Sequence, residues 1–264
     1  MILDVDMGNS YIKWRTRRCD GHLSPIERVA YSSDYASVFA GMSLSPKAVY
    51  ASCVVPSVRQ AFNQWCVNRW QLEPCYAQVS KACFNVTNAY DKVSQMGVDR
   101  WLALLAAHNK YQRACLVIDA GTALTVDLLL DSGDHLGGYI APGEHVMRNA
   151  LFQKTEITDV KRMEIEQIQS NHEIKPGAST QAAVSSGLFG MQLGLVVTAL
   201  DCLMAAGGRK PYLIFTGGGG LQLLSLVEKH LLSAWGGFYL NEGVQVAPFE
   251  PALVLDGLPL AIDC

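Results

Sequence analysis

An α/β fold assembled from two copies of one unit is the architecture this sequence predicts, and three observations predict it. Strand-like and helix-like segments interleave along the chain. A short pattern of apolar strand, Asp, any residue, Gly and second strand occurs as VDMGNSYIKW at 5–14 and again as IDAGTALTVD at 118–127. The chain has 264 residues, 50% hydrophobic and 17% charged, enough to bury one large core or two of ordinary size.

Each element follows from local pattern. Residues 2–7 and 11–16 are rich in β-formers and flank the turn Met7-Gly8-Asn9-Ser10, so they read as a hairpin. Further strands are expected at 47–55, 115–120, 123–130, 136–141 and 212–216, where β-branched and aromatic runs are bounded by turn residues. Helices are expected over 57–70, 99–110, 144–153, 179–206 and 220–233. No Pro/Gly/Ser linker or low-complexity tract divides the chain. The two Asp-Gly hairpins lie about 110 residues apart, which puts the division near residue 114 and gives halves 1–114 and 115–264.

Composition excludes several function classes. The net charge of −3, with no long run of Lys or Arg, marks no surface for nucleic acid or acidic lipid, so a small-molecule partner is expected. The eight cysteines (Cys19, Cys53, Cys66, Cys75, Cys83, Cys115, Cys202, Cys264) form no C-x-x-C pair and no zinc-ligand spacing. Asp4 and Asp6 stand where a secretory leader would be basic and apolar, so a reducing cytoplasm is expected. The apolar run at 182–200 is nearly long enough to span a bilayer, but Ser185, Ser186 and Gln192 interrupt it and its flanks lack aromatic or basic anchors. With Gly187, Gly190 and Gly194 it reads as a buried helix at a subunit interface, not a membrane span. The six histidines (His22, His108, His135, His145, His172, His230) have no acid or serine partner in a recognisable order, which argues against His-based nucleophilic chemistry.

The hairpins carry the first chemical signal. Gly8 and Gly121 let the backbone turn sharply and bring N–H groups near a bound anion, while Asn9, Ser10 and Thr122 add side-chain donors. Asp6 and Asp119 end their strands at the same place, where carboxylates can hold cations that neutralise polyphosphate oxygens, directly or through water. Lys13 is within reach of the same phosphates. Asp-x-Gly-Asn is also an ordinary hairpin turn, and both readings stand at this level. Neither hairpin is a Walker A loop, since each turn leads into a strand. A third element, YLIFTGGGGLQLL, runs from a strand through Thr216 and Gly217 to Gly220 into an amphipathic helix, and its backbone N–H groups suit nucleotide phosphate. The bland alternative is a flexible turn. Asp99, directly before WLALLAAHNK, reads from its neighbours alone as a helix N-cap.

Asp6-x-Gly8-Asn9-Ser10, SCVVP at 52–56, Gly97-Val98-Asp99-Arg100, DAGTALTVD at 119–127, GGYIAPG at 137–143 and the glycines at 217–220 occur in an order that resembles the type III pantothenate kinases. The match extends over most of the chain, and it implies the duplicated actin-like (ribonuclease H-like) fold of the sugar kinase, Hsp70 and actin superfamily, two halves around a central nucleotide cleft. The implied reaction is phosphorylation of pantothenate at its 4′-hydroxyl by ATP, the entry step to coenzyme A. By the resemblance, Asp99 is the general base and Arg100, Gly97, Val98 and Tyr90 hold the substrate. Thr180 reaches the pocket from the neighbouring subunit of a homodimer. ATP is held by Asp6, Gly8, Asn9, Ser10, Lys13, Gly121, Thr122, Gly217 and Gly218, with magnesium at Asp6 and a monovalent cation, potassium or ammonium, at Asp119. From the residues alone, Tyr90 is equally an ordinary loop tyrosine and Thr180 a helix N-cap. Two other functions fit parts of the pattern: a kinase or phosphatase of the same superfamily acting on another small alcohol, acid or polyphosphate, which would lack GVDR, and a non-catalytic regulator, which would lose Asp99 or Asp6. All of those residues are present.

Overall fold

The structure, a computed structural model, describes residues 1–31, 39, 45–154, 174–232 and 238–262; His172, Cys264 and the end of the helix expected over 220–233 lie outside them. The chain divides into two compact units, Met1–Lys110 with Ala252–Cys264, and Tyr111–Pro251.

In the first unit, β1 (Ile2–Met7) pairs antiparallel with β2 (Tyr11–Arg17), and β2 with β3 (Glu27–Ala30). Strand β4 (Ala48–Cys53) lies parallel to β1 and leads into α1 (Pro56–Trp70), whose first-turn proline has the fixed φ and missing N–H suited to a helix start. Strand β5 (Cys75–Tyr76) completes a sheet of order β3-β2-β1-β4-β5. Leu3, Val5 and Met7 alternate along β1 onto one face and join Ile12, Trp14, Val49 and Ala51 against Val58, Phe62 and Cys66 of α1. The opposite face of β1 carries Asp4 and Asp6, both buried. Arg15 (3.5 Å) and Arg17 (3.2 Å) compensate the Asp4 charge. A small hairpin of β6 (Ala82–Cys83) and β7 (Val86–Thr87) and a 3-10 turn at Val93–Gln95 precede α2 (Val98–Tyr111), which is buried from Arg100 to His108.

The second unit repeats the plan. Strands β8 (Cys115–Ala120), β9 (Ala123–Leu129) and β10 (His135–Pro142) form an antiparallel run, followed by α3 (Glu144–Lys154) and α4 (Thr180–Ala205). Strand β11 (Tyr212–Thr216) lies parallel to β8 and opens into α5 (Gly220–Val227), a π-helical turn at Glu228–Leu232 and α6 (Phe238–Asn241). Strand β12 (Gln245–Val246) ends a sheet of order β10-β9-β8-β11-β12, strand for strand the arrangement of the first unit. The apolar 26-residue helix α4, whose most apolar 18-residue stretch has a mean hydropathy of 1.8, is long enough to cross a membrane. In this unit it is a core helix, since Leu188, Phe189, Leu193, Val196, Leu200 and Leu203 along it join Leu116, Ile118, Val126 and Phe215 of the sheet.

The final helix, α7 (Leu253–Ile262), returns to the first unit, unlike the division at residue 114 that assigned all of 115–264 to the second half. Packing explains the difference. Arg15 Nη1 donates to Asp256 at 2.6 Å, and a Cβ on Gly257 would stand 2.2 Å from the Leu102 carbonyl oxygen, so α7 lies directly against α2. Cys19, Cys53, Cys66, Cys75, Cys115 and Cys202 are free thiols.

Candidate active site

The N-terminal hairpin is closed by the Gly8 N–H, which donates to the Tyr11 carbonyl at 3.1 Å, and Tyr31 OH donates to the Gly8 carbonyl at 2.9 Å. Asn9 and Ser10 are exposed at its tip. Asp6, the penultimate residue of β1, stands opposite Lys13 on β2 and Ser52 on β4. The Ser52 hydroxyl donates to its carboxylate at 2.6 Å. Burial pushes the Asp6 carboxyl up to about 6, opposed by the Ser52 hydrogen bond and the Lys13 charge and reinforced by the charge of Asp99. The fold thus brings two acids far apart in sequence within electrostatic reach of each other.

Asp99 stands in the first turn of α2, where a carboxylate is favoured by the helix dipole, and its Oδ1 accepts the Arg100 N–H at 2.9 Å. A Cβ at Gly97 would lie 2.5 Å from that oxygen, so the Gly97-Val98-Asp99 spacing lets the carboxylate fold back over a bare backbone. Arg100 is buried, and its Nη1 donates to Tyr90 OH at 2.9 Å with the guanidinium carbon 5.7 Å from the Tyr90 ring centroid. Asp6, Lys13, Tyr90, Gly97, Val98, Asp99 and Arg100 therefore all belong to the first unit.

Asp119, Gly121, Thr122, Gly217 and Gly218 gather in the second unit. Asp119 occupies on β8 the place that Asp6 holds on β1, opposite Thr125 on β9 and Thr216 on β11. Gly121 N–H closes the hairpin on the Ala123 carbonyl at 2.9 Å, and Gly143 packs so tightly on the turn that its Cβ would stand 2.2 Å from the Gly121 carbonyl oxygen. Gly217 has φ +84 and its Cβ would lie 2.2 Å from Asp119 Oδ1 and 2.7 Å from the Ala120 backbone. Thr180 also belongs to the second unit. It is exposed in the first turn of α4, and the cap considered for it is supplied by Ser179, whose Oγ accepts the Ala182 N–H at 3.2 Å.

Gly217→Ala is expected to destabilise the protein by ~1–3 kcal/mol, since both the left-handed backbone and the close backbone neighbours resist a side chain. Gly218→Ala, which meets nothing within 4 Å, should leave the melting temperature nearly unchanged. Thermal unfolding of the two variants checks this, and equal losses would contradict it.

Sequence reasoning assigned no role to Ser52, Gly143, Lys81 or Asn88. Ser52 opens the segment SCVVP, and its register opposite Asp6 is a property of the parallel pairing, not of local pattern. Among the described residues no group of three or more His, Cys, Asp or Glu is placed to hold a metal ion.

A sequence profile described as type III pantothenate kinase matches residues 2–201. A type III pantothenate kinase of Ectopseudomonas mendocina (strain ymp) is 34% identical over 269 residues, covering 99% of this chain and 98% of that protein. One from Pseudomonas aeruginosa (strain LESB58) is 39% identical over 201 residues, covering 74% of this chain and 79% of the relative. In architecture the chain is similar to a propionate kinase from Francisella tularensis subsp. tularensis SCHU S4, with a TM-score of 0.52 at 10% identity over 97% and 98% of the two chains. At that identity the likeness speaks for the duplicated actin-like fold alone. The profile match and the coverage of the bacterial relatives establish that this chain belongs to the type III pantothenate kinase family.

Proposed function

We propose that the chain transfers the γ-phosphoryl group of ATP to the 4′-hydroxyl of pantothenate, giving 4′-phosphopantothenate and ADP, the first step of coenzyme A biosynthesis. Family membership supports the reaction. The observation that carries the assignment of roles is the turn at Gly97-Val98-Asp99-Arg100, where the Asp99 carboxylate lies over the bare Gly97 backbone and the adjacent Arg100 donates to Tyr90 OH at 2.9 Å.

Asp99 takes the proton of the attacking hydroxyl, whose oxygen bonds to the γ-phosphorus as the bond to the β-phosphate oxygen breaks and ADP leaves. Arg100 offers a planar fork to the pantothenate carboxylate, with Tyr90 fixing the plane of that fork and Gly97 and Val98 lining the approach. Asp6, Gly8, Asn9, Ser10, Lys13, Gly121, Thr122, Gly217 and Gly218 are the ATP-binding residues in this reading. Magnesium fits beside Asp6, directly or through water, because a carboxyl whose charge is disfavoured chiefly by burial would be relieved by a cation, and magnesium needs only one or two carboxylates plus phosphate oxygens. Its contribution there is charge neutralisation on the phosphates. Potassium or ammonium fits at Asp119, whose carboxylate takes the space that a side chain at residue 217 would fill.

The chain acts as a cytoplasmic homodimer in this proposal. Thr180, Gly187, Met191 and Gly194 lie exposed along α4 at helical spacing, and a second copy covering that stripe brings Thr180 to the partner's pantothenate pocket. The test is ADP release by purified protein with ATP and magnesium, with and without pantothenate, in potassium and in sodium. Pantothenate-dependent, potassium-stimulated release is expected. A folded protein that releases no ADP in response to pantothenate would overturn the proposal.

A further inference from the structure

Tyr90 is held by its main chain on both sides. Asn88, fully buried between the hairpin β6–β7 and Tyr90, accepts the Tyr90 N–H through Oδ1 at 2.9 Å. Its Nδ2 donates to the Ser80 carbonyl at 3.4 Å and its N–H to the Lys81 carbonyl at 2.9 Å, so the side chain is fixed at the base of the hairpin. From the position just before β6, Lys81 Nζ donates to the Asn88 carbonyl at 2.8 Å and to the Tyr90 carbonyl at 3.3 Å. The ammonium group is thus spent on two backbone oxygens that bracket the tyrosine.

The hairpin is a rigid base for this bracket. Val86 is fully buried, and Cys83 Sγ donates to the Leu260 carbonyl of α7 at 3.5 Å. Its two turn residues, Phe84 and Asn85, both adopt left-handed backbone with φ of 46 and 61, the geometry that matches strand twist in a two-residue hairpin. Asparagine tolerates that conformation; a phenylalanine does so only where pairing on both sides holds it.

We infer that Lys81 and Asn88 are positioning residues for the acceptor pocket: by clamping both main-chain groups of Tyr90 they set the place of its hydroxyl, and through it the orientation of Arg100. The inference rests on the roles proposed above for Tyr90 and Arg100. It distinguishes the bracket from mere stabilisation, because a loosened bracket misaligns the fork that meets a carboxylate while leaving the hairpins that meet phosphate untouched.

The test compares Lys81→Met, Lys81→Arg, Tyr90→Phe and the Lys81→Met/Tyr90→Phe double variant by steady-state kinetics with each substrate varied. Lys81→Met should raise the pantothenate KM roughly tenfold, with the ATP KM unchanged and kcat within about twofold of wild type. Lys81→Arg, which can still donate to both carbonyls, should recover most of the loss. The double variant should be no worse than Tyr90→Phe alone, since both changes break one chain of contacts. KM does not depend on how much of a preparation is folded, so partial instability of a variant leaves the readout intact. An unmoved pantothenate KM in Lys81→Met, an equal rise in the ATP KM, or additive losses in the double variant would overturn the bracket alone. Wild-type protein without pantothenate-dependent turnover would overturn the kinase proposal instead.

Discussion

Asp99→Asn is expected to lower pantothenate-dependent kcat by roughly 10²–10⁴ while the protein remains folded, the usual cost of losing a positioned general base. The folded state tolerates the change because asparagine keeps an oxygen that can accept the Arg100 N–H, now received by Asp99 Oδ1 at 2.9 Å. The side chain is also nearly the same size, so it still fits over Gly97, where there is no room for a Cβ. What disappears is the capacity to take a proton. The substitution also removes the Asp99 charge that helps raise Asp6, so the Asp6 carboxyl should titrate lower in the variant. Steady-state turnover beside a thermal melt reads both parts. A variant that retains more than a tenth of wild-type kcat would show that the hydroxyl proton leaves by another route.

Asp6→Asn should separate stability from activity in opposite directions. Burial lifts the Asp6 carboxyl from its ordinary 3.8 to about 6, so between those values the folded chain holds a proton that the unfolded chain has released. Stability therefore falls as pH rises through that window, and above it the folded protein carries the whole penalty of a buried charge, up to about 3 kcal/mol. Asparagine cannot ionise, yet it can still accept from Ser52. In the absence of nucleotide, Asp6→Asn should melt several degrees above wild type at pH 7.5, and the gap should close as pH falls toward 4. Turnover should be lost at every pH, because the carboxylate that answers the phosphate-bound cation is gone. A variant whose melting temperature follows pH as the wild type does would show that Asp6 is not the group responsible.

Much of the frame is visible in the sequence because its signals are local. The run ILDVDM alternates toward one face and meets a glycine turn, and the strand lies at Ile2–Met7 as expected. The repeated Asp-x-Gly pattern foretells two sheets of identical strand order, since the same hairpin starts each of them. Elements lacking a local signal went unseen. The edge strand Glu27–Ala30 is mostly exposed and charged, so it shows no alternation. Helix Leu253–Ile262 contains Gly257 and Pro259, which read as breakers, although the glycine is there for close approach to Leu102. The candidate site divides in the same way. Asp6, Gly8 and Asp99 are readable as motif residues, whereas Ser52, Lys81 and Asn88 take their roles from strand register and hairpin pairing, which bring together groups that the sequence keeps apart.

The return of the last helix to the first unit has a consequence for the order of synthesis. The segment Tyr111–Pro251 is continuous and can complete its sheet and cover it as soon as it leaves the ribosome. The first unit, begun earlier, waits for Leu253–Ile262 before Arg15 meets Asp256 and Leu102 is covered. The half of the protein that is translated first is therefore finished last, and Leu102 in the helix that carries Asp99 is among the final residues to gain its packing.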